Sequence, residues 1–225
     1  ITLSGDTSIT LGNFTGDGTV KLDASNMTKM GINLNFSALG GSVDVTATGE
    51  DDLISLGIEG GKVMSGGGND NIIVAANATG NSDITTGDGV DIITLSAQSG
   101  IDIVKPGGTN VNINNNTANT HAAIISDKII NFDPNSDKIG FGSVTASNSN
   151  FLSETGASSF LDALTKANTA MATGKIYYLS YNVATATDGF GLLFNDSNGD
   201  GSSDTFITIT GITTDVISHQ NLVIA

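Results

Sequence analysis

The stretch Ser65-Gly66-Gly67-Gly68-Asn69-Asp70-Asn71-Ile72-Ile73 packs a glycine-rich turn, an acid and a short apolar strand into one continuous segment. Glycine tolerates the positive φ that a tight turn needs. The Ile72-Ile73 pair suits a short, half-buried strand. Working outward, the same texture recurs on both sides. Apolar pairs stand at Val43-Asp44-Val45, Leu53-Ile54, Val63-Met64, Ile84-Thr85, Ile92-Ile93, Ile103-Val104 and Val111-Asn112-Ile113. They fall into two interleaved series. Leu53, Ile72, Ile93 and Ile113 are 19, 21 and 20 residues apart, and Val45, Val63, Ile84 and Val104 are 18, 21 and 20 apart. Turn-formers lie between them: Thr48-Gly49, Gly60-Gly61, Thr79-Gly80, Gly87-Asp88-Gly89, Ser99-Gly100 and Gly107-Gly108.

A strand, a turn, a strand and a turn in about 20 residues make one coil of a two-sided parallel roll. One coil cannot bury its apolar face alone, but stacked coils share a core. The strands are too short and too closely flanked by glycine to leave room for βαβ crossover helices. The expected class is therefore all-β: a right-handed parallel β-roll (β-solenoid) over residues 1–120. Its first 42 residues form looser coils around Ile9, Leu11, Val20, Leu22, Ile32, Leu34 and Phe36. An Asn-rich stretch at 109–120 closes the repeats.

Residues 121–225 are expected to form a C-terminal cap of antiparallel strands and one short helix. Ser126–Phe141 reads as two strands about a Pro134-Asn135 turn. Phe160, Leu161, Leu164, Ala167 and Met171 fall at helical spacing over 158–171, with Ser158 or Ser159 as N-cap. Strands follow at 175–182, 189–194 and 205–212, and the chain ends in an apolar tail from Asn221.

The chain has 225 residues, with 8 Lys against 23 acidic residues and a net charge of −15. A nucleic-acid surface needs a basic face, and anionic lipid attracts basic segments, so neither partner is expected. No apolar run is long enough to span a bilayer. There are 29 Gly and no Cys. Without disulfides, a loop-rich extracellular domain is often stapled by metal. No signal peptide is visible, and because it begins at Ile1 the chain is expected to be a fragment or a processed product.

Four turns approach the nonapeptide G-G-x-G-x-D-x-U-x, with U a large apolar residue. Ser65–Ile73 supplies Gly66, Gly68, Asn69, Asp70 and Ile72; Thr86–Thr94 supplies Gly87, Gly89, Asp91 and Ile93. Thr46–Ile54 keeps Gly49, Asp51 and Leu53, and residues 97–105 keep Gly100, Asp102 and Val104. Stacking would set Asp51, Asp70 and Asp91 in a column about 4.8 Å apart. Each adjacent pair would repel by roughly 3 kcal/mol at an effective dielectric near 20. Hard Ca²⁺ takes six to eight oxygens, so carboxylates and turn carbonyls from neighbouring coils could share several such ions. The alternative, ordinary Gly-Asp turns, explains one copy more readily than four in register. A second oxygen-rich loop runs Asp196-Ser197-Asn198-Gly199-Asp200-Gly201-Ser202-Ser203-Asp204. Asp196, Asn198, Asp200, the Ser202 carbonyl and Asp204 match the first nine positions of an EF-type loop. Position 12 is Ile207 instead of Glu, and the flanks read as strands, so the loop is a calcium turn in a hairpin or a plain Asp/Gly hairpin loop.

These motifs resemble the calcium-binding repeats of RTX proteins. Ser126–Phe141, with Asp127-Lys-Ile-Ile-Asn-Phe and Asp137-Lys-Ile, is similar to the segment after the β-roll in RTX proteins exported by type I secretion. Val20–Asp51 is similar in style to bacterial S-layer proteins of that export class. The resemblance implies calcium ligation at Asp127 and Asp137, for which capping or turn stabilisation is the alternative. It also implies the type I secretion machinery as a partner, self-association into a lattice, and an extracellular place at the cell surface. No catalytic constellation is visible: the two histidines, His121 and His219, lie far apart, and no G-x-S-x-G, H-E-x-x-H or P-loop pattern occurs. The expectation is a non-enzymatic, structural calcium-binding module of an S-layer protein. The alternatives are the secretion module of a hydrolase, such as a protease or lipase, or the tail of an adhesin.

Overall fold

The computed structural model describes residues 1–96, 100–107, 126–181, 190–210 and 217–225. The chain runs β1 (Thr2–Gly5), β2 (Ile9–Leu11), β3 (Val20–Met27), β4 (Ile32–Asn35), β5 (Val43–Thr46), β6 (Leu53–Ser55), β7 (Gly61–Gly67), β8 (Asn71–Ile73), β9 (Ser82–Asp88), β10 (Ile92–Thr94) and β11 (Asp102–Lys105). It continues with β12 (Lys128–Ile130), β13 (Lys138–Gly140), β14 (Phe151–Thr155), α1 (Phe160–Met171), β15 (Tyr177–Tyr181), β16 (Phe190–Asn195), β17 (Thr205–Thr210) and β18 (Leu222–Val223).

Successive strands alternate between two sheets. Odd strands β1 to β13 build one, with β18 added at its end, in the order β1-β3-β5-β7-β9-β11-β13-β18, all parallel. Even strands β2 to β12 build the other, and β17, β16, β15 and β14 extend it beyond β12. Among the described residues only β15-β16-β17 pair antiparallel. This is a two-sided parallel β-solenoid ending in a meander, as the repeats lead one to expect. The core between the sheets is a ladder of single aliphatic side chains: Val45, Val63, Ile84, Val104 and Ile139 on one side, and Ile54, Ile72, Ile93, Ile129 and Ile209 on the other. Burying each such side chain is worth about 1.5–3 kcal/mol.

The register corrects one expectation. Ile54 pairs with Ile72 and points inward, while Leu53 pairs with Asn71 and is only partly buried. The coil from β6 to β8 is thus 18 residues long, the same as the coil from Val45 to Val63. Slipping by one residue would turn every side chain of β6 to the other face.

The helix lies where its periodicity puts it, capped by Ser159, whose hydroxyl accepts from the Asp162 N–H. Its buried face is Phe160, Ala163, Ala167, Ala170 and Met171; Leu161 is 66% exposed, contrary to expectation. The small Ala residues let the helix sit closely on Tyr178, Leu192, Phe194 and Phe206, which form a second apolar cluster. Strand β14, absent from the sequence reading, edges the meander and pairs parallel with β15. Roll and meander join where the Ser126 and Thr208 hydroxyls meet at 2.6 Å and Lys128 aligns with Thr208. The boundary expected at residue 120, the Val111–Ile113 pair and His121 lie outside the described residues.

Candidate functional site

The turns on one edge of the roll carry a ladder of acids. Asp52, Asp70, Asp91 and Asp127 begin four successive half-coils, each two residues before an inward aliphatic side chain. Each is joined to the next through its backbone. The Asp52 N–H donates to Asp70 Oδ1 at 2.8 Å, the Asp70 N–H to Asp91 Oδ1 at 2.8 Å, and the Asp91 N–H to Asp127 Oδ1 at 3.0 Å. The opposite edge repeats the device. Ser82 N–H donates to Asp102 Oδ1 at 3.0 Å, and Asp102 N–H to Asp137 Oδ1 at 3.1 Å. Asp127 and Asp137 therefore top one column each, and the segment containing them is one further coil.

The column member in the first of these turns is Asp52, correcting the expectation of Asp51. Asp51 is exposed and forms an outer rung, accepting from the Asn69 N–H at 2.6 Å. Asn69 Oδ1 in turn accepts from the Val90 N–H at 3.0 Å. A signal for this was present: two edges of one coil must share one length, and only the Ile54 register gives 18 residues on both.

The column acids are buried, with Asp70 2%, Asp91 0% and Asp127 3% exposed. Among the described residues none of them is paired with a lysine; the ion pairs are Lys21–Asp44, Lys29–Asp6, Lys105–Asp83 and Lys166–Asp162. Burial pushes the Asp70 and Asp127 carboxyls up to about 7, and neighbouring carboxylates of the column add to this. Burial pushes Asp137 up to about 6, and raises Asp52, Asp91 and Asp102 as well. The backbone N–H bonds oppose the rise without cancelling it.

The acids differ in how fully they are satisfied. Asp52 accepts from Ile32 N–H, Thr48 N–H and the Thr48 hydroxyl, so both its oxygens are used. Asp70 Oδ2 and Asp91 Oδ2 are buried without a hydrogen-bond partner. Ser65 and Thr86 stand close enough to moderate the Asp70 and Asp91 carboxyls in turn, yet the Ser65 hydroxyl proton is directed to the Thr86 carbonyl at 2.7 Å and the Thr86 hydroxyl oxygen accepts from the Gly107 N–H at 3.1 Å. A buried carboxylate oxygen with nothing to accept from is costly unless something positive reaches it.

The glycines bring carbonyls to the same edge. Gly66 and Gly87 have φ of +107° and +91° and pair across β7 and β9. A Cβ on Gly87 would lie 1.8 Å from the Gly66 oxygen, and one on Gly66 1.8 Å from the Thr48 oxygen. Gly89 stacks on the Gly68 oxygen in the same way. Only glycine permits this approach, and it leaves successive turns with backbone oxygens one above another. Gly49 precedes Asp51 on the exposed surface, and Gly100 lies buried before Asp102 on the other edge. Among the described residues no group of three or more acidic or histidine side chains converges on one point. The donor set is hence one or two carboxylate oxygens plus main-chain carbonyls, all hard oxygens.

The hairpin loop between β16 and β17 is closed on itself. Asp196 accepts from the Gly199 and Gly201 N–H groups, and Asp204 from Ser197 N–H and Asn198 N–H. Asp200 accepts from the Ser202 N–H, and Asn198 Oδ1 accepts from the Asp200 N–H. Ser203 N–H donates to Asn168 Oδ1, tying the loop to α1. Asp204 Oδ2 is filled by three donors, whereas each Asp196 oxygen and Asp200 Oδ1 takes one backbone N–H and keeps a second lone pair, so acceptor capacity remains on Asp196 and Asp200.

No family model and no curated protein matches the chain. Among solved structures it is similar to the solution structure of the AlgE6R3 subunit from the Azotobacter vinelandii mannuronan C5-epimerase. The identity is 17% and the TM-score 0.45, over 78% of this chain and 79% of that one. The solenoid assignment stands on the strand pairing itself.

Proposed function

We propose that the chain is a structural, non-catalytic β-roll module that folds on calcium outside the cell. The observation that carries this is the buried, unpaired Oδ2 of Asp70 and Asp91 within a column of acids at the edge where glycine carbonyls stack. A hard divalent cation would answer both the missing partners and the mutual repulsion. Asp70, Asp91 and Asp127 with the carbonyls of Gly66, Gly68, Gly87 and Gly89 would hold ions on one edge, and Asp102 and Asp137 on the other. The Asp196–Asp204 loop would hold a further one. Calcium sites of extracellular modules bind at about 10⁻⁴–10⁻³ M, so about 1 mM calcium stabilises each by roughly 0.4–1.4 kcal/mol. Several coupled sites sum to a fold, whereas cytosolic calcium contributes almost nothing. This fits export of an unfolded chain by a type I route, placement at the cell surface, and service as an S-layer subunit associating with its own copies.

The test is far-UV circular dichroism during calcium addition to EDTA-treated protein. Gain of the β spectrum over the millimolar range supports the reading; a spectrum indifferent to EDTA sinks it. A planar array of the parent protein that forms on calcium and disperses on EDTA, seen by electron microscopy, tests the S-layer role.

A further inference from the structure

Asn198 is the sole asparagine followed by glycine in the sequence. It stands exposed at the tip of the β16–β17 hairpin, and its neighbour Gly199 has φ +77° with open space around it. Two of the three groups involved in intramolecular attack on the Asn198 amide, the nucleophile and the carbonyl, are already contacted by a complementary partner, and the third is held in place. The Gly199 N–H, the nucleophile, donates to Asp196 Oδ1 at 2.7 Å, which raises electron density on nitrogen. The Asn198 Oδ1 accepts from the Asp200 N–H at 2.8 Å, which polarises the carbonyl toward attack. The Asn198 Nδ2, the leaving group, donates to Asp204 Oδ1 at 3.0 Å and Asp200 Oδ2 at 3.2 Å.

We infer that Asn198 is a site of spontaneous isoaspartate formation, primed by its own loop. The Gly199 nitrogen bonds to Asn198 Cγ while the Cγ–Nδ2 bond breaks. Hydroxide takes the Gly199 amide proton, and Nδ2 leaves as ammonia with a proton from water, giving a cyclic imide. Water then opens the imide at either carbonyl, yielding aspartate or isoaspartate. Both products add a negative charge to a loop that already holds Asp196, Asp200 and Asp204. Isoaspartate also lengthens the backbone by one carbon and removes the acceptor of the Asp200 N–H. On the reading of this loop as a cation site, an ion held by Asp196 would draw that carboxylate off the Gly199 N–H and suppress the reaction.

The experiment incubates the intact chain in mildly alkaline buffer with EDTA, with EDTA and urea, and with calcium. Conversion is followed by peptide mass mapping and by enzymatic methylation specific for isoaspartate. Asn198 is expected to convert ahead of every other asparagine, faster without urea than with it, and Asn198→Gln is expected to lose the signal from that peptide alone. Earlier conversion of the exposed Asn81 or Asn148 would overturn the assignment. Conversion in urea as fast as in its absence would overturn the priming. Slower conversion with calcium supports the cation reading of the loop; equal conversion overturns that reading and leaves the modification standing.

Discussion

Replacing Asp70 with asparagine should change sign with the metal. Asparagine keeps the shape of Asp70 and an oxygen to accept from the Asp52 N–H, but has no ionised form. A carboxyl raised from 3.8 to about 7 has its ionised form disfavoured on folding by about 4 kcal/mol, at about 1.4 kcal/mol per tenfold change in proton affinity. Above about pH 7.5 without metal, Asp70→Asn should therefore gain up to about 4 kcal/mol of stability. On the proposed calcium reading the same change removes a ligand, so in calcium the variant should lose roughly the 0.4–1.4 kcal/mol that one site supplies, and more where sites are coupled. Urea unfolding followed by circular dichroism, in EDTA and in saturating calcium, reads both arms. Where the parent chain is already unfolded in EDTA, the gain appears as recovered β signal. Destabilisation of equal size in both conditions would refute the reasoning, because it would make Asp70 a hydrogen-bond acceptor and nothing more.

Further outcomes follow from the same geometry. Without metal, stability should be greatest below about pH 4 and fall as pH rises through about 6 and 7, since Asp137, Asp70 and Asp127 keep their protons in the folded chain after the unfolded chain has lost them; calcium should flatten this slope in pH-dependent urea melts. Ile54→Ala should cost about 2–5 kcal/mol and Leu53→Ala less than about 1.5, a pair that fixes the register of β6 by thermal unfolding. Gly87→Ala should cost about 2–6 kcal/mol in calcium, combining a strained positive φ with a clash against the Gly66 carbonyl.

The roll was legible because its core repeats one aliphatic residue per strand, and that periodicity is visible wherever glycine marks the turns. Asp70, Asp91 and Asp102 could be read directly, since one acid stands two residues before each inward side chain. Asp51-Asp52-Leu53-Ile54 was ambiguous because two acids precede two aliphatics, and local pattern alone cannot choose between registers one residue apart. Strand β14 left little trace because it lies at a sheet edge with only partial burial, so its residues alternate weakly. Leu161 fits a helical apolar stripe by number, but the helix lies on large aromatics that small alanines fit better. The unpaired oxygens of Asp70 and Asp91 could not be read from sequence at all, because they depend on where the Ser65 hydroxyl and the coils' own amides point.

The amide-to-carboxylate bonds of the two buried columns all run one way, opposite to the outer rung from Asn69 N–H to Asp51. In each column bond, the earlier coil donates and the later coil accepts: Asp52 to Asp70, Asp70 to Asp91, Asp91 to Asp127, Ser82 to Asp102, Asp102 to Asp137. The stack thus has an arrow. Trimming coils from the N-terminal side leaves every remaining donor of the two columns with its carboxylate, whereas trimming from the other side takes the carboxylate from a buried column amide on each edge. Order in such a molecule is handed backward along the chain, from the part made last to the part made first.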